Sequence, residues 1–437
     1  MYIHFMTFGC KVNMYETECL RKLFESEGFV SSDETKADIF VVNSCTVTHD
    51  SDNKLFKALR RIRREHPAAV IAVTGCYPQA HSTLPDDVPA DIVTGTKSRA
   101  GTVRLVKEFL ADRVRIDAVS PFSGKEGFER LDTSVINGHT RAFMKIQDGC
   151  SMHCTYCIIP QARGNMRSKP LEDITAEARA FADNGYKEIV LVGINLMFYG
   201  IEYGLRLVDA IEAVCAVDGI ERVRISSLEP EIISESDLSS LSAQPKFCPH
   251  FHLSLQSGSD RVLSLMKRHY DTAAYESIVG MCRKAFPDCG ISADVMTGFP
   301  GETEDDHEQT LAFIDRIGFS DLHVFSYSPR ENTPAALFPD QVDNAVKKRR
   351  AAELITAGQR TQDIFLNTLI GRTYPVLFER EKNDGIPHGY APNYAHIKIL
   401  TENSEKGLHK QIFYATIDYV DDGSCWARIV PPDQNII

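Results

Sequence analysis

The chain has 437 residues, of which 43% are hydrophobic and 25% charged, a composition typical of a globular protein with room for two or three domains. The formal net charge of −12 excludes a surface that coats nucleic acid throughout, although a local basic patch can still bind RNA phosphates. No apolar run approaches the ~20 residues of a membrane span, so no membrane partner is expected. No signal peptide is evident, which favours a location in the cytoplasm. In that compartment the twelve cysteines are expected to be reduced thiols, some of which bind metal.

Residues 1–117 predict an N-terminal domain of alternating strands and helices. Four continuous apolar runs have the length of buried strands: residues 2–6, 38–42, 70–73 and 91–93. The stretches between them have helical periodicity. This alternation is typical of a parallel sheet that helices cover on both faces, an α/β sandwich.

Three cysteines of this domain occupy equivalent positions. Cys10, Cys45 and Cys76 directly follow the first, second and third strands. Because ligands of open α/β sheets bind outside the carboxyl ends of the strands, we expect the three thiols to meet at one edge. Three unrelated core cysteines are the alternative.

The helix that follows Cys45 carries four basic residues on one face: Lys54, Lys57, Arg61 and Arg64. The opposite face carries an apolar stripe: Leu55, Leu59 and Ile62. A charged stripe is usually only a solvated face. The other interpretation is an RNA-binding surface that engages phosphates beside the cysteines.

Residues 118–140 have the composition of a polar linker, and residues 141–335 predict a second domain. Six strand candidates alternate with helical stretches and end near Gln147, Asn195, Ser227, Gln256, Thr297 and Ser328. This pattern predicts a curved (βα)6 partial barrel. Barrels of this kind build their active sites from the loops at the carboxyl ends of the strands.

The loop after the first of these strands contains cysteines in a C-x3-C-x2-C spacing, Cys150, Cys154 and Cys157. Three thiolates are one fewer than a closed four-cysteine iron–sulfur site needs, so one metal position stays open for chemistry. A zinc site with His153 as the fourth ligand is the alternative. The six other cysteines show no pattern and are expected to lie in the core: Cys19, Cys215, Cys248, Cys282, Cys289 and Cys425.

The last part of the chain changes character. Residues 340–370 predict a helix, and residues 371–437 predict short antiparallel strands that form a small β-barrel. Three of its aromatic residues could stack on bases or pack in the core: Tyr390, Tyr394 and Tyr414.

The order of these domains and five motifs together resemble one family, the radical S-adenosylmethionine (radical-SAM) tRNA methylthiotransferases. The motifs are Gly9–Asn13, Asn43–Thr48, Thr74–Cys76, Gly149–Pro160 and Gly298–Thr303. Tyr156 supplies the aromatic residue that the family prefers before its third loop cysteine. The resemblance implies a central barrel of radical-SAM type and a C-terminal TRAM domain, an OB-like RNA-binding module.

The resemblance also implies the cofactors and the reaction. One 4Fe–4S cluster on Cys150, Cys154 and Cys157 would bind S-adenosylmethionine (SAM) and cleave it reductively. A second 4Fe–4S cluster on Cys10, Cys45 and Cys76 would hold the sulfur that is transferred. One SAM then donates a methyl group and another serves as radical source, so that an adenine C2–H becomes C2–S–CH3. The expected partners are a tRNA anticodon stem-loop, an electron donor and a sulfur source.

Seven residues are expected near the bound SAM because of their position: Tyr156, Asn195, Glu229, Ser254, Gln256, Arg268 and Asp294. Polar residues at strand ends also cap loops and form turns, which is the alternative for each. Arg163 and Arg167 could pair with a SAM carboxylate or an RNA phosphate.

The tripeptides after Cys10 and Cys45 resemble those of the subgroup that acts on N6-threonylcarbamoyladenosine beside the anticodon. The carboxylate of that group needs a cationic or polar pocket, for which Arg141, Lys145 and Arg163 are candidates by position. Subgroups acting on isopentenyladenosine or a ribosomal-protein aspartate remain alternatives. A non-enzymatic RNA-binding protein with structural zinc is a further one.

Overall fold

The structure is a computed structural model that describes residues 1–230, 233–380, 385–400 and 407–431. The first six strands are β1 Tyr2–Thr7, β2 Val30–Ser31, β3 Ile39–Ser44, β4 Val70–Gly75, β5 Ile92–Thr94 and β6 Ile116–Ala118. They form one parallel sheet in the order β2-β1-β3-β4-β5-β6. The four helices between them are α1 Lys11–Ser26, α2 His49–Glu65, α3 Cys76–His81 and α4 Gly101–Asp112.

Both faces of this sheet are buried, which confirms the predicted α/β sandwich. Helices α1 and α4 pack on one face through residues such as Leu20 and Val106. Helices α2 and α3 cover the other face, where Leu55 and Leu59 are fully buried. The sequence did not reveal the edge strands β2 and β6, because they are only two and three residues long and are partly exposed.

The described residues of the second domain form eight strands. They are β7 Ala142–Lys145, β8 Gln147–Asp148, β9 Arg167–Ser168, β10 Glu188–Val192, β11 Arg222–Ile225, β12 His250–Gln256, β13 Gly290–Thr297 and β14 Asp321–Ser326. The helices are α5 Ile159–Arg163, α6 Leu171–Asp183, α7 Leu207–Cys215, α8 Glu235–Ser242, α9 Asp260–Leu265, α10 Thr272–Ala285 and α11 Glu304–Ile317.

Six of these strands form the predicted (βα)6 partial barrel. Two parallel sheets, β11-β10-β7 and β12-β13-β14, are joined where Leu228 bridges to Leu253 in parallel register. Strands β8 and β9 form a separate antiparallel ladder beside the first strand. The six predicted strand ends each lie within a few residues of the observed ones, although β11, β12 and β14 alternate apolar and polar residues and are not continuous apolar runs.

The segment between the first two domains has neither helix nor strand after β6, as its composition indicated. It nevertheless packs closely, because Leu131 and Ile136 are buried in the barrel core. The Tyr15 hydroxyl on α1 donates to the Leu131 carbonyl at 2.8 Å. The segment therefore contacts both α1 and the barrel core and connects them.

The remaining elements are α12 Asn344–Asn367, β15 Thr373–Phe378, β16 His388–Tyr390, β17 His396–Ile399, β18 Ile412–Asp421 and β19 Ser424–Val430. The five strands close into a barrel in the order β15-β16-β17-β19-β18, as predicted. This barrel docks on the amino-terminal end of the central one, where Arg222 Nη1 donates to the Tyr390 carbonyl at 3.0 Å. Among the helices that the structure describes, none has the length and apolar character needed to cross a membrane.

Candidate active site

The three cysteines of the first domain lie at one edge of its sheet. Cys10 is the N-cap residue just before α1, Cys45 follows β3, and Cys76 is the first residue of α3. Strands β1, β3 and β4 are neighbours and parallel, so their carboxyl ends deliver the three thiols together. Cys45 and Cys76 are buried, whereas Cys10 is exposed.

Two glycines allow the cysteine loops to approach one another. Gly9 has φ +123°, and a side-chain Cβ there would lie 2.9 Å from Cys45 Cβ. Gly75 has φ +107° and ψ −158°, a conformation essentially restricted to glycine, and a Cβ there would lie 2.5 Å from the Ser44 carbonyl oxygen. Glycine at these two positions therefore leaves space between the loops that carry Cys10, Cys45 and Cys76, which a larger side chain would occupy.

The second set of cysteines lies in a loop that the barrel holds in place. The Cys150 amide donates to the Gly164 carbonyl at 3.1 Å, and the Thr155 amide donates to the Met266 carbonyl at 3.1 Å. The loop begins just after β8 and ends just before α5, at the carboxyl end of the first barrel strand. This is the position where such barrels carry their active sites.

Donor groups face two of the loop sulfurs. Asn195 Nδ2 lies 4.0 Å from Cys150 Sγ, and Arg268 Nη1 donates to Cys154 Sγ at 3.1 Å. Arg268 also pairs with Glu229. Hydrogen bonds to sulfur are one means by which proteins set the reduction potential of iron–sulfur clusters. Three of the residues expected near SAM therefore gather at the cysteine loop.

Two buried acceptors in the same region have no hydrogen-bond partner among the described residues, Asn195 Oδ1 and Gln256 Oε1. Both side chains are less than a tenth exposed. Gln256 has φ +65° at an irregularity in the pairing of β12 with β13. Buried polar atoms are normally satisfied and strained residues concentrate at ligand sites, so these acceptors fit a polar ligand over the loop.

The described residues contain no preformed three-sulfur zinc group at either cysteine loop. Sulfurs bound to one zinc at ~2.3 Å lie at most ~4.6 Å apart. Among the described residues, neither set brings its three sulfurs within 4.8 Å of one another, and His153 does not complete a tighter group.

A buried ionic network joins the two cysteine sites. Arg163, the last residue of α5, donates from Nε to Cys76 Sγ at 3.3 Å and from Nη1 to Glu16 Oε1 at 2.6 Å. Its Nη1 also lies 3.3 Å from Asp148 Oδ1, two residues before Cys150. Burial raises the pKa of Cys76 to about 12, against the lowering influence of the Arg163 cation. Arg163 thus contacts one cysteine set and borders the other.

This network corrects several expectations. Arg163 and Lys145 are buried and bound to Glu16 and Asp148, so neither is free for a substrate carboxylate. Arg167 likewise pairs with Asp148 at 3.1 Å and is not available to SAM or RNA. The sequence could not reveal these partners, because Glu16 lies 147 positions from Arg163.

The remaining expected SAM residues lie around the barrel interior. Ser254 is buried near the end of β12, and its carbonyl accepts from the Tyr270 hydroxyl. The Tyr156 ring packs edge-to-face against Phe299 with centroids 6.5 Å apart. Tyr156 is therefore part of the aromatic packing beside the cysteine loop.

Asp294 belongs to a charged group that the sequence did not reveal. Its Oδ1 lies 3.3 Å from His252 Nε2 and 3.3 Å from His323 Nδ1. Hydrogen bonds to Asp294 and Asp321 raise the pKa of His323 to about 10, so it is an imidazolium at neutral pH. The three ligand atoms lie within 4.8 Å of one another, and in the structure they form an ion-pair network.

The basic face of α2 divides into two pairs. Arg61 pairs with Glu34 and Glu65, and Arg64 pairs with Glu65. Lys54 and Lys57 are exposed and have no ion pair among the described residues. The two lysines are therefore the freer cations of this face.

Two of the three tyrosines considered for base stacking are used inside the protein. Tyr390 and Tyr394 stack on each other with centroids 4.8 Å apart, and Tyr394 also stacks on His250 at 4.7 Å. Arg141 lies over both rings and pairs with Glu379 at 3.2 Å, so this third candidate for the carboxylate is also engaged. Tyr414 is half-buried on β18. The six cysteines expected in the core are all buried.

Comparison with known proteins agrees with this geometry. Residues 144–314 match the model described as the radical SAM superfamily, and residues 2–95 match the one described as uncharacterized protein family UPF0004. A solved structure of the radical S-adenosylmethionine methyltransferase TsrM from Kitasatospora setae, with cobalamin and a [4Fe-4S] cluster bound, shares the fold. Its TM-score is 0.59 at 13% identity, over 77% of each chain.

Two relatives extend over nearly the whole chain. Threonylcarbamoyladenosine tRNA methylthiotransferase MtaB of Bacillus subtilis (strain 168) is 37% identical over 93% of this chain and 92% of its own length. A tRNA-2-methylthio-N(6)-dimethylallyladenosine synthase of Pelotomaculum thermopropionicum is 33% identical over 90% of each.

The open barrel and the three-cysteine loop at its first strand define a radical-SAM enzyme, which uses SAM and a 4Fe–4S cluster. More particularly, the chain belongs to the radical-SAM methylthiotransferase family. A non-enzymatic zinc protein is thereby excluded.

Proposed function

We propose that this enzyme methylthiolates C2 of N6-threonylcarbamoyladenosine in the anticodon loop of tRNA. The observation that carries the proposal is the joining of two three-cysteine sites through Arg163, which contacts Cys76 and borders the Cys150 loop. Helix α3, which begins at Cys76, packs directly on α5, which begins two residues after Cys157. A sulfur-donating site and a radical-generating site need this proximity to act on one carbon.

Each domain has a part in the proposal. Residues 1–117 would hold the second 4Fe–4S cluster on Cys10, Cys45 and Cys76. Residues 141–335 would hold the SAM-binding cluster on Cys150, Cys154 and Cys157. Residues 371–437 would be a TRAM-like domain that contributes to RNA binding, together with Lys54, Lys57, Arg61 and Arg64 on α2.

When bound, the SAM-binding cluster supplies the electron that splits SAM into methionine and a 5′-deoxyadenosyl radical, and the second cluster supplies the sulfur. The residues of the chain position the reactants. Asn195 and Arg268 direct N–H groups at the loop sulfurs, and Asn195 Oδ1 and Gln256 Oε1 offer acceptors to SAM. Glu229, Ser254, Asp294 and Tyr156 complete the proposed SAM-binding surface.

Burial at the site protects the radical step. Cys45, Cys76 and Cys154 are each less than a tenth exposed, and Tyr156 and Phe299 form a wall behind the loop. A closed, dry site limits loss of the radical to side reactions. An electron donor and a sulfur source must come from outside the chain, and the enzyme is expected in the cytoplasm with its tRNA substrate.

The test supplies reconstituted enzyme, SAM and reductant with two anticodon stem-loops, one carrying threonylcarbamoyladenosine and one isopentenyladenosine. Mass spectrometry of the nucleosides should show the methylthio group on the first. Equal or faster reaction of the isopentenyl substrate would overturn the substrate assignment. Product on neither RNA but on a ribosomal-protein aspartate would overturn the RNA assignment.

Two triple variants serve as controls for the proposed roles of the cysteines. Replacing Cys150, Cys154 and Cys157 by Ala should abolish formation of 5′-deoxyadenosine. Replacing Cys10, Cys45 and Cys76 by Ala should preserve that formation while abolishing the methylthio product. Full product from the second variant would contradict the proposed sulfur-donating site.

A further inference from the structure

A cavity of about 280 Å³ lies inside the central barrel, and its lining includes no residue of the loop that carries Cys150, Cys154 and Cys157. Ser226 and Ser227, which follow β11, line the end of the cavity nearest the carboxyl ends of the strands. Tyr394 of the C-terminal barrel lines it at the opposite end, and Lys11 reaches it from the first domain. The cavity is therefore formed by all three parts of the chain.

Most of the cations around this cavity are already neutralised. Arg224 gives its N–H groups to Glu188 and to the carbonyls of Ala391 and Pro392, at 2.8, 3.2 and 2.8 Å. His323 lies between Asp294 and Asp321.

Two further arginines close to the cavity are paired as well. Arg222 shares Glu188 with Arg224, and Arg141 pairs with Glu379. The two carboxylates that line the cavity, Asp294 and Asp321, are both paired with His323.

Lys11 is the exception. In the part of the chain that the structure describes, its ammonium has neither an ion pair nor a side-chain hydrogen bond. Lys11 is exposed to solvent and lines the cavity, so an anion that enters can reach its ammonium. An anion that entered the cavity would therefore find in Lys11 a cation that no carboxylate already neutralises.

The position of Lys11 is what the proposed substrate requires. Lys11 directly follows Cys10, and Cα atoms of adjacent residues lie about 3.8 Å apart. On adenine, C2 and the carbon that bears N6 are separated by a single ring atom, so a group on N6 stays close to the reacting carbon. A receptor for the end of that group must therefore lie beside the sulfur-donating site.

We propose that Lys11 binds the terminal carboxylate of the N6 substituent and thereby selects threonylcarbamoyladenosine over adenosines with uncharged N6 groups. The inference rests on the proposed function and assigns its substrate specificity to one residue. An isopentenyl group offers the Lys11 ammonium no charged partner, so a site built to bind a carboxylate holds it less tightly.

The test measures binding, which is independent of turnover. Holoenzyme without reductant is titrated with two stem-loops that differ only in the threonylcarbamoyl end, a free carboxylate or its carboxamide. The wild type should bind the carboxylate form roughly tenfold or more tightly, as for a charge-assisted hydrogen bond. Lys11→Gln should reduce the ratio of the two affinities to about one, and Lys11→Arg should restore most of it.

Lys348→Gln is the matched control, because Lys348 is exposed on α12 and does not line the cavity. It should keep the wild-type ratio. Iron content is measured for every variant, since Lys11 adjoins Cys10. An unchanged ratio in Lys11→Gln, or equal affinities in the wild type, would overturn the proposal.

The outcome is separable from that of the proposed function. A wild-type preference for the carboxylate form that Lys11→Gln abolishes would support the pocket even if neither RNA were methylthiolated. Methylthiolation of the threonylcarbamoyl stem-loop without any such preference would support the function and overturn the pocket.

Discussion

At the scale of single residues, the site depends on backbone conformations that ordinary side chains resist. Gly75 occupies a region of φ and ψ that is essentially restricted to glycine, directly before Cys76. It also lies against the backbone of Ser44, the residue before Cys45. One glycine therefore sets the relative position of two cysteines.

We predict that Gly75→Ala loses about half of the iron of the reconstituted enzyme. The added Cβ would lie 2.5 Å from the Ser44 carbonyl, and because that atom is backbone, relief requires the two cysteine loops to separate. Iron content and the absorption spectrum after anaerobic reconstitution provide the measurement. Formation of 5′-deoxyadenosine should persist, because the Cys150 loop belongs to another domain.

Gly28→Ala is the matched control for this prediction. Gly28 also has a positive φ, +86°, but a Cβ there meets nothing within 4 Å. This variant should lower the free energy of unfolding by about 1 kcal/mol through backbone strain and keep all its iron. Equal iron loss in both variants would show that strain, and not the distance between the loops, is responsible.

At the scale of elements, α2 shows how a sequence stripe acquires meaning from its neighbours. Its four basic residues share one face by helical periodicity, and its apolar stripe is buried against the sheet. Only the fold shows that Arg61 and Arg64 are partly neutralised by Glu34 and Glu65, whereas Lys54 and Lys57 are not.

We predict that the two lysines contribute more to tRNA affinity than the two arginines. Lys54→Gln combined with Lys57→Gln should weaken binding and flatten its salt dependence, by about 0.9 in the logarithmic slope for each phosphate that is no longer neutralised. The matched pair, Arg61→Gln with Arg64→Gln, should change the slope less. The measurement is the affinity for tRNA across a series of salt concentrations. If both double variants keep the wild-type slope, the basic face of α2 is only a solvated surface.

At the scale of the whole molecule, a buried ionic network fixes the first domain against the barrel. Glu16 on α1 binds Arg163 and Lys145 of the barrel domain and Arg99 of its own domain. Burial alone would raise the pKa of Glu16, but these three cations outweigh it and hold the pKa at about 2. The relative placement of the two cysteine sites depends on this carboxylate.

We predict that Glu16→Gln lowers the free energy of unfolding by about 3–5 kcal/mol at neutral pH, because it leaves buried cations uncompensated. Since the folded pKa lies below the unfolded one, the contribution of Glu16 is present above pH ~4.5 and is lost as the pH falls through about 2. The difference from wild type in urea denaturation should therefore shrink in acid.

Glu27→Gln provides the comparison for Glu16→Gln. Glu27 pairs with Lys107 at the surface, where both side chains are about half exposed. Its loss should cost about 0–1 kcal/mol, as for other exposed ion pairs. A similar small effect from Glu16→Gln would contradict a structural role for the network.

The sequence by itself determined the architecture and the division of six cysteines into two sets of three. Apolar runs separated by helical periods predict parallel strands, and the carboxyl-end rule places Cys10, Cys45 and Cys76 together without coordinates. Cys150, Cys154 and Cys157 lie within eight consecutive residues, so their spacing can be recognised from the sequence without a structure. The short strands β2, β6 and β16 were missed because two or three residues carry too little periodicity.

Only the tertiary structure decided which charges are free. The partners of Arg163, Lys145 and Arg141 lie 147, 129 and 238 positions away along the chain, a separation at which sequence spacing carries no information about contact. Those three residues, chosen by position as carboxylate receptors, proved to be neutralised inside the protein. Lys11, which the sequence showed only as part of a motif, is the cation that the fold leaves unpaired in a cavity, because the surrounding carboxylates are already bound to other cations.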